Sequence, residues 1–515
     1  MNKFTLLLIK TLLVCTGLLI LSSCEWQSNK QTFVPEIQPG IAKVSGKVIG
    51  FTLEENEPLP DIMITTVPPV AGTRITITGQ LNQDGSFELE VPVECQTIAG
   101  MCFGDFCGVI GLTPNEETHL ELTVTDTGKP DVVITDKLGL TSNDVVNYAH
   151  VLYVEVNNYR GTLPSLDYRV LPDSFAQGYI ERIEESLSVV KNHPLLSETA
   201  KKIAIAAWKQ ERLYAWFMDY KGTVKLIHSS EMKRQGREKE PDDFVPEEPG
   251  KSYYMFLRYF DLNNPINLQT TTYSEVLQSI LGNETLQIPP IGETPVEIWL
   301  SDVKSVMSDL IGADTGLFYE MLAANSYARQ FNNESRPLSD KQKENLKNYF
   351  KGKKGEFAKI LLRKNDEIIK WDAKKDPPVV NKTPFFSKNN KWMDTIISKY
   401  KGKVVVVDFW ATWCAPCLDA MTEYREVKKV LEGKDIGFVY ITNSSSPKKL
   451  WEEKIKGIGG EHYYLNVEEW GSLMDKFDFS KIPSYLIFDT NGKLRHKFTG
   501  YPGNEKMQAM IEELL

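Results

Sequence analysis

A nearly continuous apolar run, Val404–Phe409, leads within a few residues to two cysteines, Cys414 and Cys417, which are separated by one Ala and one Pro. A strand this apolar is typical of the centre of a sheet that is covered on both faces. The spacing that follows predicts a helix from about Cys414 towards Val430. This part of the chain is therefore restricted to an α/β arrangement in which a dithiol lies where a buried strand passes into a helix.

The helix N-terminus gives this dithiol a defined chemistry. Free N–H groups and the helix macrodipole stabilise a thiolate on Cys414. Cys417 lies one turn further on the same helix face, where it can bridge to Cys414 or attack a mixed disulfide. Zinc would need two more ligands, and the domain offers neither a second Cys pair nor a His pair, since His462 and His496 are predicted to be isolated surface residues. An inert structural disulfide is the other alternative.

Strands and helices alternate after a polar, Pro-containing linker at Asp372–Pro384. The predicted strands are Gly437–Thr442, His462–Leu465, Ser484–Phe488 and Lys493–Thr499, and the predicted helices lie near Pro447–Ile455, Trp470–Phe477 and Glu505–Leu515. This order predicts an α/β domain over residues 376–515.

The segment VDFWATWCAPC, residues 407–417, closely resembles the active site of thioredoxins. Lys481–Tyr485 resembles their cis-proline loop, and the unit between Gly437 and Leu465 resembles the insertion of the TlpA/ResA branch. Members of that branch are exported, membrane-tethered thiol–disulfide oxidoreductases. The resemblance implies a thioredoxin-like fold and an enzyme that needs no cofactor and no metal.

The same resemblance implies roles for individual residues. Cys414 would be the nucleophile and Cys417 the resolving thiol, joined as a disulfide in the oxidised form. Trp413 would flank that disulfide. Ile482 and Pro483, joined by a cis peptide bond, would shape the groove for an extended substrate.

Asp408 falls where thioredoxins keep a buried carboxylate that moves protons for the second cysteine. Burial at the end of an apolar strand raises the pKa of a carboxyl group, which suits it to accept the proton of Cys417. Thioredoxins usually place a Lys near this Asp on the next strand, and Gly437–Thr442 contains none. The alternative is a strand acid that serves only as a hydrogen-bond partner.

The N-terminus predicts an export signal. Residues 1–23 combine two Lys with the apolar run Thr11–Leu21, and the string Leu21-Ser22-Ser23-Cys24 resembles a bacterial lipobox. The resemblance implies lipidation of Cys24, followed by a polar tether over residues 24–40. An ordinary signal peptide or a short transmembrane anchor is the alternative.

Two further domains are predicted between the tether and the dithiol domain. Residues 41–140 carry short alternating strands with turn signals, which predict a small antiparallel β-sandwich. Residues 141–375 change to helical spacing, which predicts a mostly helical domain whose aromatic residues form its core. The whole multidomain layout resembles TlpA-like lipoproteins of the Bacteroidetes.

Three cysteines, Cys95, Cys102 and Cys107, lie within the predicted sandwich. An exported chain can form disulfides, so one disulfide and a spare thiol is the first interpretation. A three-thiolate metal site is the second, although no His lies beside it. A redox relay to Cys414 is the third.

Charge and hydropathy limit the function classes. The chain of 515 residues has 59 basic and 69 acidic side chains and a net charge of −10, which argues against nucleic-acid binding. Only the N-terminal stretch is apolar enough to meet a bilayer, so a multi-span membrane protein is excluded.

These observations favour a lipid-anchored thiol–disulfide oxidoreductase that faces the periplasm in the cell envelope. The resemblance implies a reductase of exported protein thiols, for example in cytochrome c biogenesis, with electrons from an inner-membrane donor that the sequence does not identify. The alternative is an envelope binding or scaffold lipoprotein whose upstream domains dock a partner and whose redox activity is accessory.

Overall fold

The computed structural model describes residues 35–50, 61–125, 130–157, 167–237, 244–372, 378–381 and 392–515. The predicted signal segment, the lipobox and Cys24 lie outside these residues. Residues 36–40, the end of the predicted tether, are described: Gln38 donates its N–H to the carbonyl of Glu94 at 2.8 Å, and Ile37 packs against apolar core residues.

The N-terminal region is a two-sheet sandwich. Its strands are β1 (Gly40–Ile49), β2 (Asp61–Thr66), β3 (Ile75–Gln80), β4 (Ser86–Val93), β5 (Thr97–Phe103), β6 (Phe106–Leu112), β7 (Glu117–Thr123) and β8 (Asp131–Thr135). The sheet orders are β4-β1-β7-β8 and β3-β2-β5-β6. Alternate residues of strands such as β7 are buried, which is what strict in–out alternation in the sequence dictates.

The prediction of a purely antiparallel sandwich is wrong in one pair. β1 and β7 run parallel, with Lys43 opposite Glu117 and Ile49 opposite Thr123. Strand direction depends on how distant segments meet, and the alternation within a single strand does not encode it.

The central region is helical, as the spacing predicts. Its helices are α1 (Ser142–His150), α2 (Pro172–Lys191), α3 (Glu198–Arg212), α4 (Tyr220–Arg234), α5 (Tyr273–Gly282), α6 (Val296–Ile311), α7 (Leu317–Glu334), α8 (Asp340–Tyr349) and α9 (Gly355–Asp372). Shorter segments are π-helical at Val151–Val156 and Leu213–Phe217, and 3₁₀-helical at Lys251–Phe260, Pro265–Gln269 and Gly352–Lys354. Aromatic residues such as Trp208, Phe217 and Tyr253 lie in the core.

The C-terminal region is α/β. It comprises β9 (Pro378–Val380), α10 (Trp392–Ile397), the 3₁₀ segment Ser398–Tyr400, β10 (Val404–Phe409), α11 (Ala415–Val430), β11 (Ile436–Asn443), α12 (Lys448–Ile458), β12 (Gly460–Leu465), α13 (Val467–Lys476), β13 (Ser484–Phe488), β14 (Leu494–Thr499) and α14 (Asn504–Glu512). The sheet order is β14-β13-β10-β11-β12-β9. Every residue of β10 is buried, as expected for a strand between two layers of helices.

The predicted linker at Asp372–Pro384 is not wholly a linker. Pro378–Val380 forms the edge strand β9, which pairs in parallel with Gly460–His462 of β12. A segment of three residues that begins with Pro has too little alternation to be recognised as a strand. It becomes a strand because it pairs with β12.

The C-terminal region packs on the helical region through α12 and α7. Arg329 of α7 and Glu453 of α12 form an ion pair at 2.7 Å. A Cβ on Gly457 of α12 would come within 2.5 Å of the Ser335 hydroxyl oxygen, so glycine permits the close approach of these elements. No helix among the described residues has both the length and the apolar character that a bilayer crossing requires.

Candidate redox site

The dithiol lies where the strand β10 passes into the helix α11. Cys414 is the N-cap residue of α11 with extended backbone, and the N–H of Cys417 donates to the Cys414 sulfur at 3.3 Å. Pro416 suits the first turn, because an N–H there would have no helical partner. The two sulfurs are bonded as a disulfide.

Apolar side chains cover most of this disulfide. Cys414 is only 4% exposed and Cys417 is fully buried, within a cluster that also contains Trp410, Tyr440 and Trp451. Cys414, the nucleophile that the resemblance implies, is the more exposed of the two cysteines, but it is nearly covered. Attack on the disulfide is therefore confined to a narrow approach.

Three residues of the predicted groove lie around this approach. Trp413 is 58% exposed, and its indole N–H donates to the Ser445 hydroxyl oxygen at 2.9 Å. The Ile482–Pro483 peptide bond is cis, and Ile482 packs against the cluster that contains both cysteines. Pro483 immediately precedes β13, which pairs with β10 in the register that places Ser484 opposite Phe409.

Asp408 lies inside the sheet, with neighbouring strands on both sides. Its register partners are Tyr440 on β11 and Tyr485 on β13, and its side chain is 3% exposed. One carboxyl oxygen has no hydrogen-bond partner among the described residues. Burial raises the pKa of Asp408 to about 8, opposed only by the positive charge of Lys428. The group therefore changes protonation near neutral pH.

Lys428 is the residue of this site that the sequence reasoning missed. Its ammonium group lies 4.8 Å and 4.9 Å from the ring centroids of Phe438 and Tyr440 and donates to the Ile458 carbonyl at 3.3 Å. The resemblance implies such a cation on β11, whereas Lys428 lies on the helix α11. A signal existed, because Lys428 follows Cys417 by eleven residues, about three helical turns on one face.

Ser446 supports the turn that carries the dithiol. Its buried hydroxyl accepts the backbone N–H of Thr412 at 3.0 Å and shares a hydrogen bond of 2.9 Å with the hydroxyl of Thr442. Tyr464 donates its hydroxyl to the Ser446 carbonyl at 2.6 Å. The turn Asn443–Ser446, closed by a bond from Ser446 N–H to the Asn443 carbonyl, thus fixes the segment just before Cys414.

Replacing Ser446 by alanine should lower the free energy of unfolding by about 1–3 kcal/mol, because the buried N–H of Thr412 loses its acceptor. Ser444→Ala is the matched control, since Ser444 is exposed in the same turn and should change stability by less than about 0.5 kcal/mol. Urea unfolding of both variants measures the difference. Equal losses would show that the Thr412 contact is not what stabilises the turn.

The prediction that His462 is a surface residue is wrong. His462 is fully buried and stacks on Tyr440 with ring centroids 5.0 Å apart. Burial lowers the pKa of His462 to about 3, so the imidazole is neutral. His496 is half-buried. Among the described residues, no group of three or more His, Cys, Asp or Glu could hold a metal ion.

The sandwich cysteines form one disulfide and one free thiol. Cys102 and Cys107 are bonded, and Cys95 is buried with its thiol donating to the Leu268 carbonyl at 3.3 Å. Burial raises the pKa of the Cys95 thiol well above its usual range. This is the first of the three interpretations from the sequence, and it leaves no three-thiolate arrangement.

Residues 380–515 match the family model for Redoxin. The C-terminal region is a redoxin domain. This domain is 25% identical over 118 residues to the thiol-disulfide oxidoreductase ResA of Geobacillus kaustophilus, a match that covers 23% of this chain and 67% of the relative. It is 27% identical over 116 residues to the thiol-disulfide oxidoreductase YkuV of Bacillus subtilis, a match that covers 22% of this chain and 78% of the relative.

A solved structure also matches the redoxin domain. The crystal structure of a thiol:disulfide interchange protein of the thioredoxin family from Chlorobium tepidum is 22% identical, covers 23% of this chain and 83% of that chain, and has a TM-score of 0.20. The assignment rests on the sequence matches. They confirm the predicted thioredoxin-like α/β domain and an oxidoreductase of the thiol–disulfide class.

Proposed function

We propose that the chain is a thiol–disulfide reductase of exported proteins in which Cys414 is the nucleophile and Cys417 the resolving thiol. The observation that carries the proposal is the Cys414–Cys417 disulfide at the N-terminus of α11, with the protonatable Asp408 buried in β10, the strand that leads to it. A helix N-terminus lowers the pKa of a cysteine there, which favours the thiolate needed for attack. Cys417 is fully buried, so external reagents reach it less readily than Cys414.

The substrate side of the proposal uses the surface around Cys414. Exposed Trp413 offers apolar contact to a polypeptide, and the cis Ile482–Pro483 bond turns the chain just before β13. An extended substrate segment can pair with backbone groups of this loop, as in strand addition to a sheet edge. The substrates are then disulfides in extended segments of exported proteins.

The direction of electron flow is tested by the reduction potential of the Cys414–Cys417 couple. A reductase requires a potential near those of thioredoxin and glutaredoxins, about −270 to −200 mV, and an electron donor on the other side of the inner membrane. Equilibration of the full chain with glutathione buffers measures the potential. A value near about −120 mV, as for DsbA, would make the enzyme an oxidase and overturn the reductase assignment.

The proposed place of action is the cell envelope, with the chain held at a membrane by lipid on Cys24. The lipobox string Leu21–Cys24 supports this part of the proposal. Cys24→Ala should leave the protein without lipid, because only the thiol accepts the diacylglycerol. Detergent phase partitioning and mass spectrometry of the N-terminal peptide measure the outcome. An unmodified Cys24 in the wild-type protein would contradict lipid anchoring.

A second candidate function is a binding or scaffold protein with accessory redox activity. It is favoured by ion pairs that tie the redoxin domain to both upstream regions, Arg329–Glu453 at 2.7 Å and Arg74–Asp419 at 3.4 Å. Insulin reduction by the full chain discriminates between the candidates. Turnover that disappears in Cys414→Ser supports the enzyme, and no turnover in the wild type supports the scaffold.

A further inference from the structure

The second disulfide of the chain lies at the tip of a hairpin in the sandwich. Cys102 on β5 and Cys107 on β6 are direct register partners, and Phe103 and Phe106 are the last pair before the turn. Gly104, with φ of +53°, and Asp105 form this two-residue turn, a geometry that favours glycine. The disulfide therefore joins two strands that the ladder and the turn already hold together.

This position makes the disulfide a weak stabiliser of the fold. The two cysteines are five residues apart, so the bond closes a very short loop and removes little entropy from the unfolded chain. The sandwich core on the other face of these strands contains Met101, Ile110 and residues of both sheets. Apolar packing of this core, not the hairpin disulfide, holds the sandwich together.

Cys107 is the most exposed of the disulfide-bonded cysteines in the described residues. Cys107 is exposed and Cys102 is half-buried, whereas Cys414 is 4% exposed and Cys417 fully buried. A thiolate from outside the molecule therefore reaches Cys107 more easily than any other disulfide-bonded cysteine in the described residues. Exposed disulfides are the ones that exchange readily, whereas buried structural ones resist reduction.

The backbone groups of Cys107 do not bond to β5. The Cα atoms of Cys102 and Cys107 are 4.2 Å apart, which marks a non-hydrogen-bonded pair whose N–H and C=O groups point away from each other. Gly111, which has the same orientation on β6, accepts a hydrogen bond from the Thr118 hydroxyl rather than from β5. β6 is the outer strand of its sheet, and α1 packs alongside it: a Cβ on Gly108, next to Cys107, would come within 2.4 Å of the Val145 carbonyl oxygen of α1.

The hairpin lies away from the ion pair that joins the redoxin domain to the sandwich. The redoxin domain meets the sandwich at Arg74, just before β3, which lies at the Thr97 end of β5. Cys102 lies five residues along β5 from Thr97, about 17 Å at the rise of an antiparallel strand, towards the opposite end. The relay from the sandwich cysteines to Cys414 within one chain is therefore not favoured by this arrangement.

We propose that Cys102–Cys107 is a second thiol-exchange site, and that its reductant is the Cys414–Cys417 dithiol of another copy of this chain. The Cys414 thiolate attacks the Cys107 sulfur, the Cys102 thiolate leaves and takes up a proton, and a Cys414–Cys107 mixed disulfide forms. Cys417 then loses its proton and attacks Cys414, which releases the Cys107 thiolate. One disulfide is reduced and one dithiol is oxidised, a transfer of two electrons that rests on the proposed function of Cys414.

The test separates donor and acceptor in two full-length variants. The donor carries Cys102→Ser and Cys107→Ser and is reduced and desalted; the acceptor carries Cys414→Ser and Cys417→Ser and is oxidised. Alkylation before and after mixing, read by peptide mass spectrometry, reports each cysteine. We expect the acceptor hairpin to be reduced at least tenfold faster by this donor than by the donor with an added Cys414→Ser change.

Two further arms make the outcome decisive. A donor that also carries Cys417→Ser should form a covalent heterodimer, with the bond mapped to Cys414 and Cys107; a bond to Cys102 would overturn the assignment of the attacked sulfur. Reduced glutathione should form a mixed disulfide at Cys107 of the acceptor while buried Cys95 stays unmodified.

Insulin reduction by the donor distinguishes failure of this inference from failure of the proposed function. If the donor reduces insulin but leaves the hairpin oxidised, the exchange between copies is wrong. If the donor reduces neither substrate, the proposed role of Cys414 is wrong. The reaction with glutathione then shows by itself whether Cys107 is a site of thiol exchange.

Discussion

Replacing Cys414 by serine should lower the rate of disulfide reduction by about 10³-fold or more, because the thiolate that attacks the substrate is lost. Replacing Cys417 should stop the reaction one step later. The attack by Cys414 still occurs, but no second thiol releases the product, so Cys417→Ser accumulates mixed disulfides. The two variants should thus be equally inactive in turnover and different on a non-reducing gel.

The measurement combines insulin turnover with mass spectrometry of trapped species. Cys95→Ser is the matched control, since the Cys95 thiol is buried, bonds to the Leu268 carbonyl and belongs to a different core cluster from the dithiol. It should retain wild-type turnover and trap nothing. In the reduced wild-type protein, alkylation of Cys414 should precede that of Cys417, whose side chain is fully buried. The opposite order of alkylation would reverse the two roles.

The parts of the site that were predictable from the sequence are local ones. The apolar strand, the helix start and the cysteine spacing all lie within Val404–Val430, and the helix begins at Ala415, one residue from the expected position. A motif of this kind determines its own geometry, because strand burial, N-terminal Pro and helix capping act within a few residues. The cis Ile482–Pro483 bond followed from a second local motif.

The parts that were not predictable depend on distant segments. Ser446 reaches Thr412 from 34 residues away, and its role depends on how the turn after β11 folds back. Lys428, the cation that acts on Asp408, lies on α11 and not on the neighbouring strand β11, and the sequence does not show which element fills the space beside Asp408. The sequence shows no partner for His462, because the residue on which it stacks, Tyr440, lies on another strand.

The same reasoning applies to the sandwich. Alternation predicts which residues of a strand are buried, but the parallel pairing of β1 with β7 arises from the order in which distant strands meet. From the sequence alone, the three sandwich cysteines allow three interpretations. Hairpin register decides between them, because it puts Cys102 opposite Cys107 and sends Cys95 into the core.

Asp408→Asn should slow resolution of the mixed disulfide by about 10- to 100-fold while leaving the first attack by Cys414 nearly unchanged. In the proposed mechanism the carboxylate of Asp408 accepts the proton of Cys417, and asparagine cannot accept it. Burial raises the pKa of Asp408 to about 8, so in the wild type the ionised fraction of Asp408 increases as the pH rises through 8. The wild-type rate of resolution should rise as the pH passes through 8. The rate of resolution in Asp408→Asn should not show this rise.

The same shift has a consequence for stability. The pKa of Asp408 is raised from 3.8 to about 8 in the folded protein, so folding favours the protonated form. The contribution of Asp408 to the free energy of unfolding of the wild type is highest below about pH 4, where Asp408 is protonated in both the folded and the unfolded state. This contribution falls progressively as the pH rises to 8, because the unfolded state ionises Asp408 more readily than the folded state. Asp408→Asn carries no such loss, so its free energy of unfolding should exceed that of the wild type increasingly from pH 4 to 8.

Stopped-flow reduction of a model disulfide at pH 6 to 9 separates attack from resolution, and urea unfolding over pH 4 to 8 measures the stability difference. Lys428→Met is a useful companion, because removing the opposing positive charge should raise the pKa of Asp408 further and move the rise in resolution rate to higher pH. Lys428→Arg keeps the charge and should keep the wild-type profile. Equal resolution rates for wild type and Asp408→Asn at every pH would make Asp408 a structural residue, because a proton acceptor for Cys417 cannot be removed without slowing that step.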